Sequence, residues 1–181
     1  MQIYRVALMS LLAVAVSEAQ APAKAAKAVP ATARPSNRVD ANLGQLMKGV
    51  FYPNSNVIFF AQGVNPATVK GTQESSTATD PLQSAYGKWE AVESSALAIA
   101  EAAALLGSPG RKCANGRDVP LRNADWAKFT QGVREAGMVA YRAAQAKDQD
   151  KILDAAEVLT TACANCHDKY REKEKLADRC M

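Results

Sequence analysis

Eight apolar residues, Leu82, Ala85, Trp89, Val92, Ala96, Ile99, Ala103 and Leu106, follow one another at spacings of 3, 4, 3, 4, 3, 4 and 3. On a helix that alternation lines all eight side chains along one stripe, and a stripe so long must bury itself against other helices. Asp80 can cap the first turn, Pro81 suits the first helical position, and Gly107 and Pro109 end the run, so the pattern predicts a helix over 80–106. A second helix is predicted from a cap near Asn123 to about Lys147, with Trp126, Phe129, Val133, Ala136 and Ala140 on one face. A third begins near Asp148 or Asp150 and turns Ile152, Ala155, Leu159, Ala162 and Cys166 inward. The earliest starts near Asp40 with Leu43, Met47 and Val50 in register, breaks at Pro53 and resumes over 57–60. Aromatic residues make up only 6% of the chain and no run is rich in β-branched residues, so an all-β fold is excluded. The expectation is an all-α, antiparallel four-helix bundle over 39–181, with loops at 61–79 and 107–122 long enough for one crossing connection.

The segment before residue 39 has a different character. Residues 1–19 read as a Sec-type signal peptide: Arg5 supplies the charge, 6–16 is an apolar run, and Ser17-Glu18-Ala19 ends it with small residues three apart. Eleven residues are too few to cross a bilayer, which takes ~20. A cut after Ala19-Gln20-Ala21 is the alternative, disfavoured by Pro22. Residues 20–38 are a Pro/Ala/Lys-rich linker with no apolar face. The reading is an exported, periplasmic protein with no stable membrane insertion once the signal is removed. The linker holds Lys24, Lys27, Arg34 and Arg38 and no acid, which accounts for the whole net charge of +4 and leaves 17 basic and 17 acidic residues in 39–181. Such a tail is a solvated spacer, and no nucleic-acid partner is expected.

Chemistry concentrates at Cys163-Ala164-Asn165-Cys166-His167. On a helix the two thiols and the imidazole lie at i, i+3 and i+4 and project from one face. That spacing suits one covalent haem c per chain: each thiol forms a thioether with a vinyl group, and the adjacent imidazole reaches the iron. Two other readings compete for these residues. A redox disulfide of the thioredoxin kind belongs at a helix N-terminus after a strand, whereas this motif lies deep in a helix. A zinc site would need a fourth ligand, which distant Cys113 or Cys180 would have to supply.

Only fourteen residues follow His167. With the motif so near the end, followed by Asp168-Lys169-Tyr170-Arg171, the chain resembles the cytochrome c′ family, four-helix bundles whose last helix carries CxxCH and a short charged tail. The likeness covers 39–181, is sharp in the last helix and is weaker at Leu46-Met47-Lys48-Gly49. It implies that Cys163 and Cys166 hold the haem, that His167 is the proximal axial ligand, and that Arg171 stands beside the proximal face, where the alternative is a solvated charge. His167 is the only histidine, so bis-histidine ligation within one chain is excluded. After signal removal the thioethers are Met47, Met138 and Met181, and the family's distal residue falls at Met47. Met47 is therefore read as the distal axial ligand, with a gap-filling core residue as the alternative. Many family members carry an arginine one turn earlier, near the haem propionates; Leu43 stands there, which leaves Lys48 and Arg38 as possible propionate partners. Phe51, Phe59, Phe60, Trp126 and Phe129 are candidate pocket linings or simply core.

These residues lead to an electron carrier and not an enzyme, its redox partner unidentified. The alternative is a five-coordinate haem protein binding nitric oxide or carbon monoxide. A peroxidase lacks a second histidine as distal acid-base. The resemblance also implies a homodimer through the first two helices. Cys113 and Cys180 form an even remainder that suggests a disulfide in an oxidising compartment, against two unpaired thiols or pairing between chains. Arg111, Lys112, Arg117 and Arg122 stand against Asp118 alone and make a local basic patch, suited to an acidic partner or simply solvated.

Overall fold

The computed structural model describes residues 38–180. The proposed signal peptide and all of the linker but Arg38 lie outside the described residues, as does Met181. Among the described residues there is no strand, only a single antiparallel bridge between Lys112 and Asp118. Short α1 (Leu43–Leu46), a π-helical turn (Met47–Phe51) and α2 (Tyr52–Gly63) run on as one rod. It is followed by α3 (Trp89–Ala102), α4 (Ala124–Gln145) and α5 (Gln149–Tyr170). The bundle closes as a ring: α3 packs on α4, α4 on α5, and α2 on both α3 and α5.

The first rod starts later than its stripe suggests. Asn42, not Asp40, is the cap: its side chain accepts from the Gln45 N–H at 2.8 Å while Gln45 accepts from the Asn42 N–H at 2.9 Å. Two orphan donors are satisfied reciprocally, which fixes the entry of the chain. Pro53 does not break the helix. The widened turn over Met47–Phe51, in which the Tyr52 N–H reaches the Met47 carbonyl, carries the chain into it without interruption.

The predicted 80–106 helix is split. Asp80 does cap, accepting from Leu82 N–H at 2.9 Å, but it caps only a 3-10 turn over Pro81–Gln83. The chain then folds back so that Lys88 N–H donates to the Leu82 carbonyl at 2.9 Å. Gly87 makes that return possible, because any Cβ there would overlap the Leu82 carbonyl oxygen, and Lys88 follows at φ 59. Leu82 still joins the core, from the turn rather than from a helix, whereas Ala85 is exposed. A further 3-10 turn over Ala103–Gly107 ends the stripe. The predicted second helix forms within two residues of its expected bounds, the third starts where expected, and Asp148 caps α5 by accepting from Lys151 N–H at 3.1 Å.

Val92, Ile99, Ala140, Ile152 and Leu159 form the fully enclosed centre. On one side α3 and α4 approach so closely that a Cβ on Gly137 would lie 2.8 Å from the Ala100 nitrogen and 3.0 Å from the Ala96 carbonyl oxygen. The loop between α3 and α4 is drawn onto the bundle. Arg111, only 6% exposed, donates through Nε to the Leu105 carbonyl at 2.8 Å and through Nη1 to the Ala41 carbonyl at 2.6 Å, and the Lys112 carbonyl accepts from Leu43 N–H. Lys112 pairs with Asp118 and Arg117 with Asp178, so the basic loop read from the sequence is consumed by internal contacts, apart from exposed Arg122. Cys113 and Cys180 are joined as a disulfide, with Cα atoms 4.8 Å apart. No helix among the described residues is long and apolar enough to cross a membrane.

Candidate functional site

The fold sets the first rod beside α5. At one end Gln149, on the first residue of α5, donates to the carbonyls of Ala61 and Gln62 at the end of α2. Towards the other end the two elements part and enclose a cavity of about 540 Å³. That volume suits a bound organic group, since ligand cavities run from roughly 300 to 1,000 Å³. Cys163, Cys166 and His167 all line it from α5, and Met47 lines it from the first rod. Four side chains singled out from the sequence, two of them 120 positions apart in the chain, thus face one space.

A smaller apolar lobe of about 40 Å³ shares Met47, Leu106 and the three motif residues with that cavity and is otherwise lined by Phe51, Phe129, Thr130 and Val133. Phe59 and Trp126 line the main chamber, Phe51 and Phe129 the lobe. Phe60, named with them from the sequence, turns away and is 52% exposed, because it lies on the outer face of α2. Trp126 is also core: its Nε1 donates to the Leu106 carbonyl at 3.2 Å. Exposed lining residues mark the mouth, namely Lys48 and Tyr52 on the first rod and Thr160, Asp168 and Arg171 on the other side. Arg38 stands apart, paired with Asp40 at 2.8 Å.

The chemistry of the donors distinguishes the competing readings. Burial pushes the Cys163 thiol up and, with the negative charges of Cys163 and Asp125 added, carries Cys166 to about 11. Both are therefore neutral thiols near pH 7, the reverse of the depressed values that activate a thioredoxin-type cysteine. Burial, and then the Arg171 charge, lower His167 below the ordinary imidazole range, which keeps its ring neutral and a lone pair available. Both motif cysteines are unbonded. Among the described residues no three His, Cys, Asp or Glu side chains gather as a metal-ligand cluster.

The last turn of α5 is pinned from α4. Tyr170 lines the cavity, donates its hydroxyl to Asp125 Oδ1 at 2.6 Å, accepts from Asn123 Nδ2 at 3.1 Å, and meets the Trp126 ring edge-on at 4.9 Å. Lys169 pairs with the same Asp125 at 2.9 Å. The phenol hydrogen bond and then Lys169 hold the Asp125 carboxyl below its usual range, while burial followed by the bond to Asp125 raises Tyr170. Cys180 also lines the cavity, so the disulfide closes one of its edges. Sequence reasoning missed Asp125, Tyr52, Ser55, Thr160 and Leu106. Thr160 carried a legible signal, three residues before Cys163 on the same helix face. Tyr52 and Ser55 continue the Met47 face only once the extra residue of the π turn is counted.

No family model, curated protein or solved structure matches this chain.

Proposed function

We propose that the chain is a periplasmic monohaem c-type cytochrome that carries electrons, with an antiparallel bundle similar to those of the cytochrome c′ family. The observation that carries the reading is the convergence of Cys163, Cys166, His167 and Met47 on one cavity about the size of a porphyrin. Cys163 and Cys166 would hold the haem c through thioethers, His167 would be the proximal ligand, and Met47 the distal one. When bound, the group supplies a one-electron couple, and a thioether ligand favours its reduced state. The chain's own residues do the rest. Leu43, Leu106, Trp126 and Phe59 exclude water from the chamber, and the Asp125–Tyr170 bond keeps the motif-bearing turn rigid, which limits rearrangement between oxidation states. Arg171 lies at the mouth with Nε on Glu172 Oε1 at 2.6 Å, a cation one turn past His167. The homodimer and an acceptor protein of unassigned identity complete the proposal.

A second reading, a five-coordinate haem protein binding nitric oxide or carbon monoxide, draws on one observation. The small lobe beside Met47 and His167 is almost wholly apolar, which suits a small neutral gas. Absorption spectra of the purified protein, ferric and ferrous and with and without carbon monoxide, separate the two. A low-spin ferric spectrum with a sulfur-to-iron charge-transfer band, lost in Met47→Ala and unmoved by carbon monoxide, is the expected result. A high-spin spectrum with rapid carbon monoxide binding would establish the second reading in its place.

A further inference from the structure

We infer that the cavity-bearing end of the bundle is a docking surface for an acidic face of a partner protein, an inference that rests on the electron-carrier reading above and names that partner's chemistry. The start of the first rod, the 3-10 turn after α3, the start of α4 and the end of α5 meet at the cavity through Leu43, Leu106, Trp126 and His167. The opposite end is marked by Gln149 on the carbonyls of Ala61 and Gln62. Divided near the middle of each helix, the described chain is unevenly charged. Segments 38–58, 98–133 and 160–180, which make the cavity end, hold twelve basic and eight acidic residues, whereas 59–97 and 134–159 hold six basic and nine acidic. A chain of nearly balanced charge thus folds into a bundle that is positive at one end and negative at the other. Both α4 and α5 run for 22 residues. At 1.5 Å per residue that is about 33 Å, several times the ~8 Å over which physiological salt screens a charge, so a partner at one end feels little of the other.

Pairing sharpens the contrast. Most cations of the 107–122 loop are held internally, but Arg122, Lys128, Lys173 and Lys175 are exposed and have no ion-pair partner among the described residues. Lys173 and Lys175 stand on the tail that Asn115 and the disulfide hold against the bundle, which fixes them at this end. At the opposite end Glu90, Asp150, Asp154 and Glu157 are exposed and equally unpaired. Exposed apolar side chains occur at both ends, Tyr52 and Leu176 at this one and Phe60 and Tyr86 at the other, so charge and not apolar area tells the two apart. Charge of this kind steers an encounter and fixes its orientation, while a few apolar contacts hold a small, transient interface. An acidic face drawn to the basic end arrives at the mouth of the cavity, and the acidic end repels it.

The test compares the haem-bearing full-length protein with two double variants of equal net charge, Lys173→Glu/Lys175→Glu at the cavity end and Lys70→Glu/Arg142→Glu at the other. Reduced protein is oxidised by hexacyanoferrate(III), one electron passing from each protein to one anion, which becomes hexacyanoferrate(II). At an ionic strength of about 10 mM the cavity-end variant should react about tenfold more slowly than wild type and the other variant within about twofold of it, the difference vanishing near about 1 M. The cation hexaammineruthenium(III) should instead oxidise the cavity-end variant faster. As a readout that needs no electron transfer, a hexaglutamate peptide titrated into the nitrogen-15-labelled ferrous protein should shift the amides of 171–179 and not those of 61–90, and should no longer bind Lys173→Glu/Lys175→Glu. Equal slowing in both variants, or none in either, would overturn the docking assignment while leaving the haem reading intact. Binding to phosphatidylglycerol vesicles without binding of the peptide would overturn it in favour of a lipid surface. A purified chain whose mass shows no covalently bound porphyrin would overturn both.

Discussion

Reducing the Cys113–Cys180 bond should destabilise the bundle strongly without releasing any covalently held group. The bond joins residues 67 apart in the chain, and a loop of that length loses enough unfolded-state entropy for the link to contribute about 4 kcal/mol in the chain-entropy model. For a folded unit of about 140 residues the unfolding entropy near the midpoint is roughly 0.3 kcal/mol per degree, so the same loss lowers Tm by about 13 °C. The bond also holds the contacts beside it in place. Asn115 Nδ2 donates to the Ala177 and Arg179 carbonyls at 3.0 and 2.7 Å, and Cys180 N–H donates to the Tyr170 carbonyl at 2.8 Å. Thermal and urea unfolding followed by far-ultraviolet circular dichroism, with and without a dithiol, measures the effect, and Cys113→Ala/Cys180→Ala should reproduce it. Thioethers resist dithiols, so visible absorbance should stay with the polypeptide throughout. A melt that does not move on verified reduction would refute the entropy argument, and absorbance lost to the filtrate would refute the division of the four cysteines into two pairs with separate tasks.

Two further outcomes follow from the packing and the charges. Gly137→Val should destabilise by about 1–3 kcal/mol in urea titrations, because the added carbons must push α3 from α4 at Ala96 and Ala100; an unchanged midpoint would mean that the helices separate freely there. The Asp125 carboxyl is held below its ordinary value, so its contribution is fully present above the unfolded value of about 3.9 and is lost as pH falls through the folded one. Asp125→Asn should therefore be less stable than wild type at pH 6, with the gap closing by pH 2; a gap constant across that range would show that its charge contributes nothing.

Different parts of the fold were legible for different physical reasons. The stripes of α4 and α5 could be read directly, since each is a long run: Asn123 stands at the cap position of α4 without a side-chain cap hydrogen bond, Asp148 caps α5, and Trp126, Val133, Ile152 and Leu159 are all buried as their spacing requires. Residues 80–106 carried an equally regular period, yet the helix begins only at Trp89. Periodicity reports which side chains could face inward, and a 3-10 turn followed by a return buries Leu82 as a helix would while leaving Ala85 exposed. Gly87 was the clue, weak by itself because a glycine inside a helix is tolerated. The basic loop misled because formal charges do not say who pairs with whom. Arg111 faces two carbonyls, and Arg117 finds Asp178, 61 positions away.

What the sequence determined by itself is therefore local: where α4 and α5 run, and that Cys163, Cys166 and His167 share one face, since i, i+3 and i+4 are neighbours on any helix. That Met47 faces them, that Cys113 meets Cys180, that Phe60 turns out, and that Lys48 is left unpaired at the mouth among the described residues were decided by tertiary structure alone. These relations join segments far apart in sequence. They depend on which helix faces pack together and on one extra residue in the π turn at Met47–Phe51, a register change with no local composition to announce it.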